Sequence, residues 1–240
     1  SPELPSLIQA WWDREGSQLP LFLVLCGSHL AAMEALGAAS APLYGRFTAG
    51  ALKLPPLRYD DVALFYPGAS AREKLTLYGV FGGTPRYHAL LDPARPPTEQ
   101  VIDLLLRPRA PLESEMAFLL SSESVRDPAP YNAVLAAVAR GETQFGRIQQ
   151  LTGIERGSLS FVLARLLELG WLRRELPFEE TSEKRALYRV ADPFLGFWYR
   201  FVHPLRGVLA FRDPVDVWRE RIEPHLSEYL GGQVFEGVCG

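Results

Sequence analysis

The sequence predicts a mainly α-helical protein with a mixed α/β stretch at its N-terminal end, and three observations predict it. Of the 240 residues, 48% are apolar and 22% charged, which is enough to bury a core and too apolar for a disordered chain. One short run, Leu21 to Leu25, is apolar without alternation, the pattern of a strand buried on both faces. Nearly everything after Arg58 repeats its apolar residues at helical spacing between proline and glycine breaks.

The elements follow in order. Ser1 to Gly16 reads as an amphipathic helix opened by Pro5-Ser6, with Leu7, Ile8, Trp11 and Trp12 on its apolar stripe. The Leu21–Leu25 strand ends at the small polar residues Gly27-Ser28-His29, and a short helix with Met33, Glu34 and Leu36 follows. Pro42 to Arg46 is a turn, and Gly50 to Leu57 resembles a second short strand. Asp60 can cap a helix carrying Val62, Leu64 and Phe65, and Ser70 can cap another carrying Leu75, Tyr78 and Phe81 that stops at Gly82-Gly83. Pro85 opens a third helix, Pro93 to Pro97 breaks the chain, and Val101–Leu106 and Glu113–Leu119 add two helical pieces.

Residues 131 to 190 carry the most specific pattern. A helix over Tyr131–Arg140 stops at Gly141, and a second over Thr143–Leu151 turns at Thr152-Gly153-Ile154. A third, Ser158–Leu169, turns Leu159, Val162, Leu163, Leu166 and Leu167 inward. Trp171–Leu176 and Ala186–Val190 then form a hairpin around a charged tip at Glu179 to Lys184. Two short helices joined by a glycine turn, a further helix and a hairpin make a winged helix. Beyond it, Asp192-Pro193 caps an aromatic helix (Phe194, Phe197, Trp198, Tyr199, Phe201) that Pro204 is expected to break. The remaining helix holds Trp218, Ile222, Leu226 and Tyr229 at helical spacing.

Composition excludes several classes. The net charge of −3 argues against a chain coated in cations for bulk nucleic-acid binding. Cys26 and Cys239 are too few and too far apart for a disulfide framework, which predicts a reducing, cytoplasmic setting. The longest apolar stretch is too short and too polar at its end for a membrane span, and no signal peptide is expected. Histidines 29, 88, 203 and 225 have no ligand spacing, so no metal site is expected. No G-x-x-x-x-G-K-[ST] loop occurs in the 240 residues. Cys26-Gly27-Ser28-His29 lacks the glycines of a serine elbow and the second cysteine of a papain-like run, and reads as a strand end.

Several stretches together resemble one family, the archaeal-type AAA-family ATPases that carry a C-terminal winged helix and a restriction-endonuclease-like domain. They are Leu23-Val24-Leu25-Cys26-Gly27-Ser28, Pro42-Leu43-Tyr44-Gly45-Arg46, Phe81-Gly82-Gly83-Thr84-Pro85-Arg86-Tyr87 and Tyr188-Arg189-Val190-Ala191-Asp192-Pro193-Phe194, with Phe197 to Val202 and Val234-Phe235-Glu236. The resemblance implies an α/β remnant of an AAA core over 1–57, a helical lid over 58–125, the winged helix over 126–192 and the helical start of a nuclease-like domain over 193–240. It implies ATP and magnesium held by a P-loop core upstream, with no cofactor for these 240 residues alone. It further implies a nucleotide-dependent switch that couples the lid and winged helix to a partner or DNA. The implied partners are that upstream core, DNA, or further copies of the chain, without a membrane. A DNA-binding regulator with a vestigial nucleotide site, and an interaction scaffold, are the alternatives.

Residue by residue, the resemblance makes Ser28 a γ-phosphate sensor and Arg46 an arginine finger, whose planar fork offsets charge on a transferring phosphoryl group. The residues alone equally allow a steric strand end and a surface arginine. Gly83, Pro85 and Arg86 fall on the segment by which related lids touch nucleotide, and turn punctuation is the alternative there. In the winged helix, nine basic and seven acidic residues between 131 and 190 give +2, against −5 for the rest. Arg156 and Ser158 open the third helix, where base contacts would be made, and Arg173-Arg174 lie on the wing. Glu155, Glu168 and Glu179-Glu180 oppose phosphate. Glu236 resembles the first acidic residue of the nuclease-like domain, whose later residues are not in this sequence.

Overall fold

A computed structural model describes residues 3–27, 30–123, 125–176 and 186–239. The chain divides into two compact units, Ser1–Pro55 with Leu119–Val125, and Pro56–Phe118 with Arg126–Gly240. The protein is mainly helical, and among the described residues its sheet has two strands. No helix of the described residues is long and apolar enough to cross a membrane.

In the first unit, the amphipathic helix spans Leu4–Arg14 and a tight turn, Gly16–Gln18, follows it. Trp11 and Trp12 meet edge to face with ring centroids 6.1 Å apart. A short helix spans Leu30–Leu36. The two expected strands are corrected here: Leu21–Leu25 and Gly50–Leu57 pair with nothing in a ladder. Phe22 is 77% exposed, and Leu52 and Leu54 are as open. An apolar run is only a strand when a neighbour satisfies its backbone groups on each edge. Hydrophobic pattern alone supplies no neighbour.

The second unit starts with Tyr59–Ala63, whose N-cap is Arg58 and not Asp60; the Asp61 carboxylate accepts the Arg58 N–H at 3.1 Å. Ala71–Phe81 begins with a full capping box, in which the Glu73 backbone N–H donates to the Ser70 hydroxyl and the Glu73 carboxylate accepts from Ser70. Pro85–His88 and Pro97–Val101 follow. Buried Gln100 closes the intervening loop by accepting the Asp92 N–H and donating to the Asp92 and Arg95 carbonyls. The helix Glu115–Ser122 matches the expected Glu113–Leu119 piece in place.

Downstream, helices Ala129–Ala139, Phe145–Thr152 and Arg156–Glu168 pack around Val134, Leu135, Ile148, Leu159, Leu163 and Leu166, all buried. Strand β1 (Leu172–Glu175) pairs antiparallel with β2 (Leu187–Val190), Arg173 facing Arg189. A single bridge between Gln144 and Leu187 ties the residue before the second helix to β2, and the Tyr188 N–H donates to the Thr143 carbonyl at 2.7 Å. The expected hairpin tip, Glu179 to Lys184, lies outside the described residues.

Pro204 does not break the aromatic helix, because the helix widens just before it. Pro193–Phe197 runs through a π-type turn, Trp198–Val202, into His203–Leu209, and the His203 N–H reaches back five residues to the Trp198 carbonyl. The same device recurs where Glu223 reaches Trp218 ahead of Pro224. A wide turn also ends the helix at Leu106, where the Arg107 N–H reaches Ile102 and Pro108 follows outside the helix. A proline inside a helix has no N–H and crowds the carbonyl four residues back, and one wider turn moves that carbonyl aside. The helices then continue through Glu223–Tyr229, Leu230–Phe235 and Glu236–Cys239.

The core of this unit is aromatic. Phe194 packs on Tyr87 at 4.7 Å and on Trp198 at 6.1 Å, while Phe197, Phe201 and Tyr229 form a triangle with 5.2–6.0 Å centroid spacings. Asn132, the only asparagine in the sequence, accepts the Tyr199 hydroxyl at 2.6 Å and joins the first helix of the module to the aromatic helix. Residues 193–239 thus belong to the same compact unit as 56–118 and 126–192.

Candidate nucleotide-facing turn and nucleic-acid interface

The Gly82–Arg86 turn is over-determined by its neighbours. Gly82 ends its helix at φ +64°, and a Cβ there would lie 2.5 Å from Asp192 Oδ1 and 3.3 Å from the Phe194 nitrogen. Gly83 lies flush on the Leu57 backbone: its carbonyl accepts the Leu57 N–H at 2.8 Å, and a Cβ would fall 2.8 Å from the Leu57 nitrogen. Both positions therefore require glycine. Thr84 is extended, as the residue before a proline should be, and Pro85 starts the Pro85–His88 turn of helix.

Buried His88 reads this turn from below. Its Nε2 lies 2.7 Å from the Gly82 carbonyl, so Nε2 carries the proton, and Nδ1 accepts the Tyr66 hydroxyl at 2.8 Å. Burial holds His88 below the ordinary histidine range and pushes the Tyr66 hydroxyl up to about 12. Arg86 is committed to a carboxylate, donating from one terminal nitrogen to both oxygens of buried Glu115 at 2.9 and 3.1 Å. The Tyr87 hydroxyl donates to the same group at 3.0 Å.

Asp192 closes the turn from the side of the hairpin. Its carboxylate accepts the Phe194 N–H at 2.7 Å and caps the aromatic helix. Burial pushes this carboxyl up to about 6, against the opposing pull of the Phe194 and Leu195 amides. Sequence reasoning recognised Asp192 as a cap but missed its contact with Gly82, and missed His88, Tyr66 and Glu115. The adjoining Gly-Gly and Asp-Pro signals mark each end separately, and no spacing rule joins residues 110 positions apart.

Arg46 has its guanidinium fully engaged in the first unit. Nε and a terminal nitrogen donate to the two Asp13 oxygens at 2.8 and 2.7 Å, and the other terminal nitrogen to the Pro42 and Tyr44 carbonyls. That bond to Arg46 holds the Asp13 carboxyl below its ordinary range. Ser28 lies outside the described residues.

On the three-helix module, Arg156 and Ser158 are exposed at the start of the third helix, as expected. The Arg156 guanidinium lies 5.9 Å from the Phe145 ring centroid. Glu155 caps that helix by accepting the Gly157 and Ser158 amides at 2.9 and 3.2 Å, which lowers its pKa. Arg173 and Arg174 differ in exposure. Adjacent residues of a strand point to opposite faces. Arg174 is exposed, whereas half-buried Arg173 shares the Glu175 carboxylate with Arg189, at 2.6 and 2.7 Å. Arg173 faces a cleft of about 250 Å³ that Thr143, Gln233 and Glu236 also line. Of the two wing arginines, only Arg174 is thus fully exposed. Among the described residues no three histidine, cysteine or carboxylate side chains gather to hold a metal ion.

No protein-family profile matches the chain, and no solved structure matches it. The chain is similar to "Uncharacterized protein MJECL04" of Methanocaldococcus jannaschii, with 30% identity over 243 residues that cover all of this chain. It spans about half of that relative's length, 53%.

Proposed function

We propose that this chain is the lid-and-winged-helix part of an ATP-driven switch of the AAA type. The observation that carries the reading is the direct packing of the Gly82–Arg86 turn, where related lids meet nucleotide, against Asp192 at the foot of the hairpin. The motif stretches that resemble the family fall at both ends of that contact. The 240 residues hold no P-loop, so the phosphate cradle and the magnesium ligands come from a part of the protein outside them. ATP enters against exposed Pro85 and Arg86, on the turn that Gly83 sets from its buried place on the Leu57 backbone, and its presence is passed to the winged helix, which engages a partner protein or DNA. Arg46 serves as a finger in this scheme only after exchanging Asp13 for phosphate.

Winged-helix DNA binding is the second reading, and exposed Arg156 beside Ser158 favours it. The ion-paired state of Arg173 leaves it fewer phosphate contacts than the sequence suggests.

Hydrogen exchange of the full-length protein with and without Mg–ATP tests the proposal. Protection of Gly82–His88 on adding nucleotide is the expected result. Unchanged exchange across that segment at saturating ATP removes the reading. The 240-residue chain alone is expected to show no tight ATP binding by calorimetry.

A further inference from the structure

The contact at Gly82 has the form of a lock between two parts of the second unit. Asp192 follows β2 by two residues, and the neighbouring Ala191 N–H donates to the Trp171 carbonyl at 2.9 Å, which fixes the chain to the foot of the hairpin. Its carboxylate caps the aromatic helix through Phe194 and lies against the Cα of Gly82, where no side chain fits. Phe194, the second residue of that helix, packs at a tilt on Tyr87, the residue after Arg86. A second stitch lies one turn away: the buried Tyr229 hydroxyl is 2.8 Å from the Gly79 carbonyl and 2.9 Å from the Pro193 carbonyl. The Asp192 charge acts on the hydroxyls of Tyr78, Tyr87 and Tyr229, and Arg58 and Arg173 act on Tyr78 beside it, yet among the described residues the Asp192 carboxylate has no ion-pair partner within 4 Å.

A serine would cap the helix as well as an aspartate does, without placing a charge in a poorly hydrated corner. The longer side chain is what reaches Gly82.

We infer that Asp192 is a coupling residue that locks the Gly82–Arg86 turn to the hairpin and the aromatic helix, so that the turn and the three-helix module move as one piece. That the signal carried is nucleotide binding rests on the function proposed above; the lock itself rests on the contact.

The test is amide hydrogen exchange of the 240-residue chain, without nucleotide, in four variants. Asp192→Ala removes both cap and contact, and exchange should rise roughly 2- to 30-fold at Phe194–Phe197 and also across Gly82–Ala89. Asp192→Asn keeps an acceptor of the same reach and should stay near the parent at both segments. Asp192→Ser keeps the cap and withdraws from Gly82; it should speed Gly82–Ala89 while sparing Phe194. Gly82→Ala should in turn speed Phe194–Phe197. Effects of Asp192→Ala or Asp192→Ser that never reach Gly82–Ala89 would reduce Asp192 to a plain cap and overturn the inference. The Asp192→Ser result decides the matter even if the alanine variant fails to fold. With Mg–ATP on the full-length protein, protection should extend from Gly82–His88 to Val190–Val202, and Asp192→Ser should abolish the extension. Absence of any nucleotide-dependent protection removes the ATP reading alone, because the nucleotide-free exchange has already decided the lock.

Discussion

Two stretches of this chain have similar apolar content and opposite fates. Among the described residues between Glu3 and Pro55, only Gly16 and Leu43 are buried, although Leu21, Phe22, Leu23, Val24, Leu52 and Leu54 are all large and apolar. From Pro56 to Phe118 and from Arg126 onward a large core is buried, with Phe81, Phe197 and Tyr199 at 0% exposure, although Phe65, Phe118, Phe161, Phe211 and Phe235 stay exposed. For Leu21–Leu25 and Gly50–Leu57 the difference lies in periodicity, whereas the helix Leu4–Arg14 has helical spacing and also buries no residue. A helix turns one stripe inward and needs a single packing partner, whereas a run that is apolar on both faces needs cover on two faces and a strand on each edge. Hydrophobicity sets the demand for burial; geometry decides whether it is met.

The widest break in this comparison comes from truncating one aromatic side chain in each stretch. Phe194→Ala empties the space between Tyr87 and Trp198 and should cost about 3–5 kcal/mol. Phe22→Ala removes a side chain that is 77% exposed and should change stability by no more than about 0.5 kcal/mol. Urea unfolding of both variants measures the contrast. Equal losses would mean that Phe22 is buried in solution.

What the sequence made legible divides along the same line. Ser70-x-x-Glu73 announces a helix start through two local hydrogen bonds, and that start is where the structure has it. The three helices and hairpin of 129–190 were likewise readable from spacing, as were the exposed places of Arg156 and Ser158. Leu21–Leu25 failed because its strand character depends on residues elsewhere. Arg173 and Arg174 adjoin in sequence and so suggest a pair, whereas a strand separates neighbours onto two faces. Pro204 suggests a stop because the wide turn that accommodates it leaves no signature in spacing. Of the candidate turn, the glycines and prolines were visible and the groups that hold them were not. His88, Tyr66, Glu115 and Asp192 are joined by the fold alone.

A smaller effect probes the polar floor of that turn. Tyr66→Phe deletes the hydroxyl that satisfies His88 Nδ1 and leaves a buried acceptor unpaired, which should cost about 1–3 kcal/mol. Chemical denaturation near neutral pH reads the loss directly. No loss would imply that water reaches His88, and the sharp contrast between the two stretches would weaken at this point.

The two titratable groups on either side of Gly82 should respond to acid with opposite signs. The folded pKa of Asp192 is raised from 3.8 to about 6, so the folded state binds the extra proton and stability falls as pH rises through that window. The folded pKa of His88 is lowered from 6.5, so its contribution is present above 6.5 and is lost as pH falls towards the folded value. Asp192→Asn removes only the first effect. Its stability relative to the parent should therefore rise by about 1–2 kcal/mol between pH 4 and pH 7, the two-unit shift being discounted because Asp192 keeps part of its surface in solvent. A difference that stays flat over that range would show that Asp192 is not desolvated.

The smallest expected effect distinguishes two arginines within the well-packed unit. Arg156 is exposed and stacked near Phe145, while Arg173 is held by Glu175 beside Arg189. If the winged helix binds DNA, each phosphate neutralised adds about −0.9 to the slope of log affinity against log salt. Arg156→Ala should therefore flatten that slope by about 0.9, and Arg173→Ala should leave it unchanged, because a guanidinium already spent on a carboxylate releases no counterion. With few cations available, binding should be weak, on the order of 10⁻⁵ M at physiological salt. Gel shifts with a mixed-sequence duplex across a salt series measure both variants. A flattening by Arg173→Ala and not by Arg156→Ala would mean that the hairpin ion pair opens on DNA, reversing the roles assigned to the two residues. Absence of any shift at tens of micromolar protein, even at low salt, would assign the exposed helix to a protein partner, for which Phe161, 68% exposed on the same helix, offers an apolar anchor that a phosphate surface would not use.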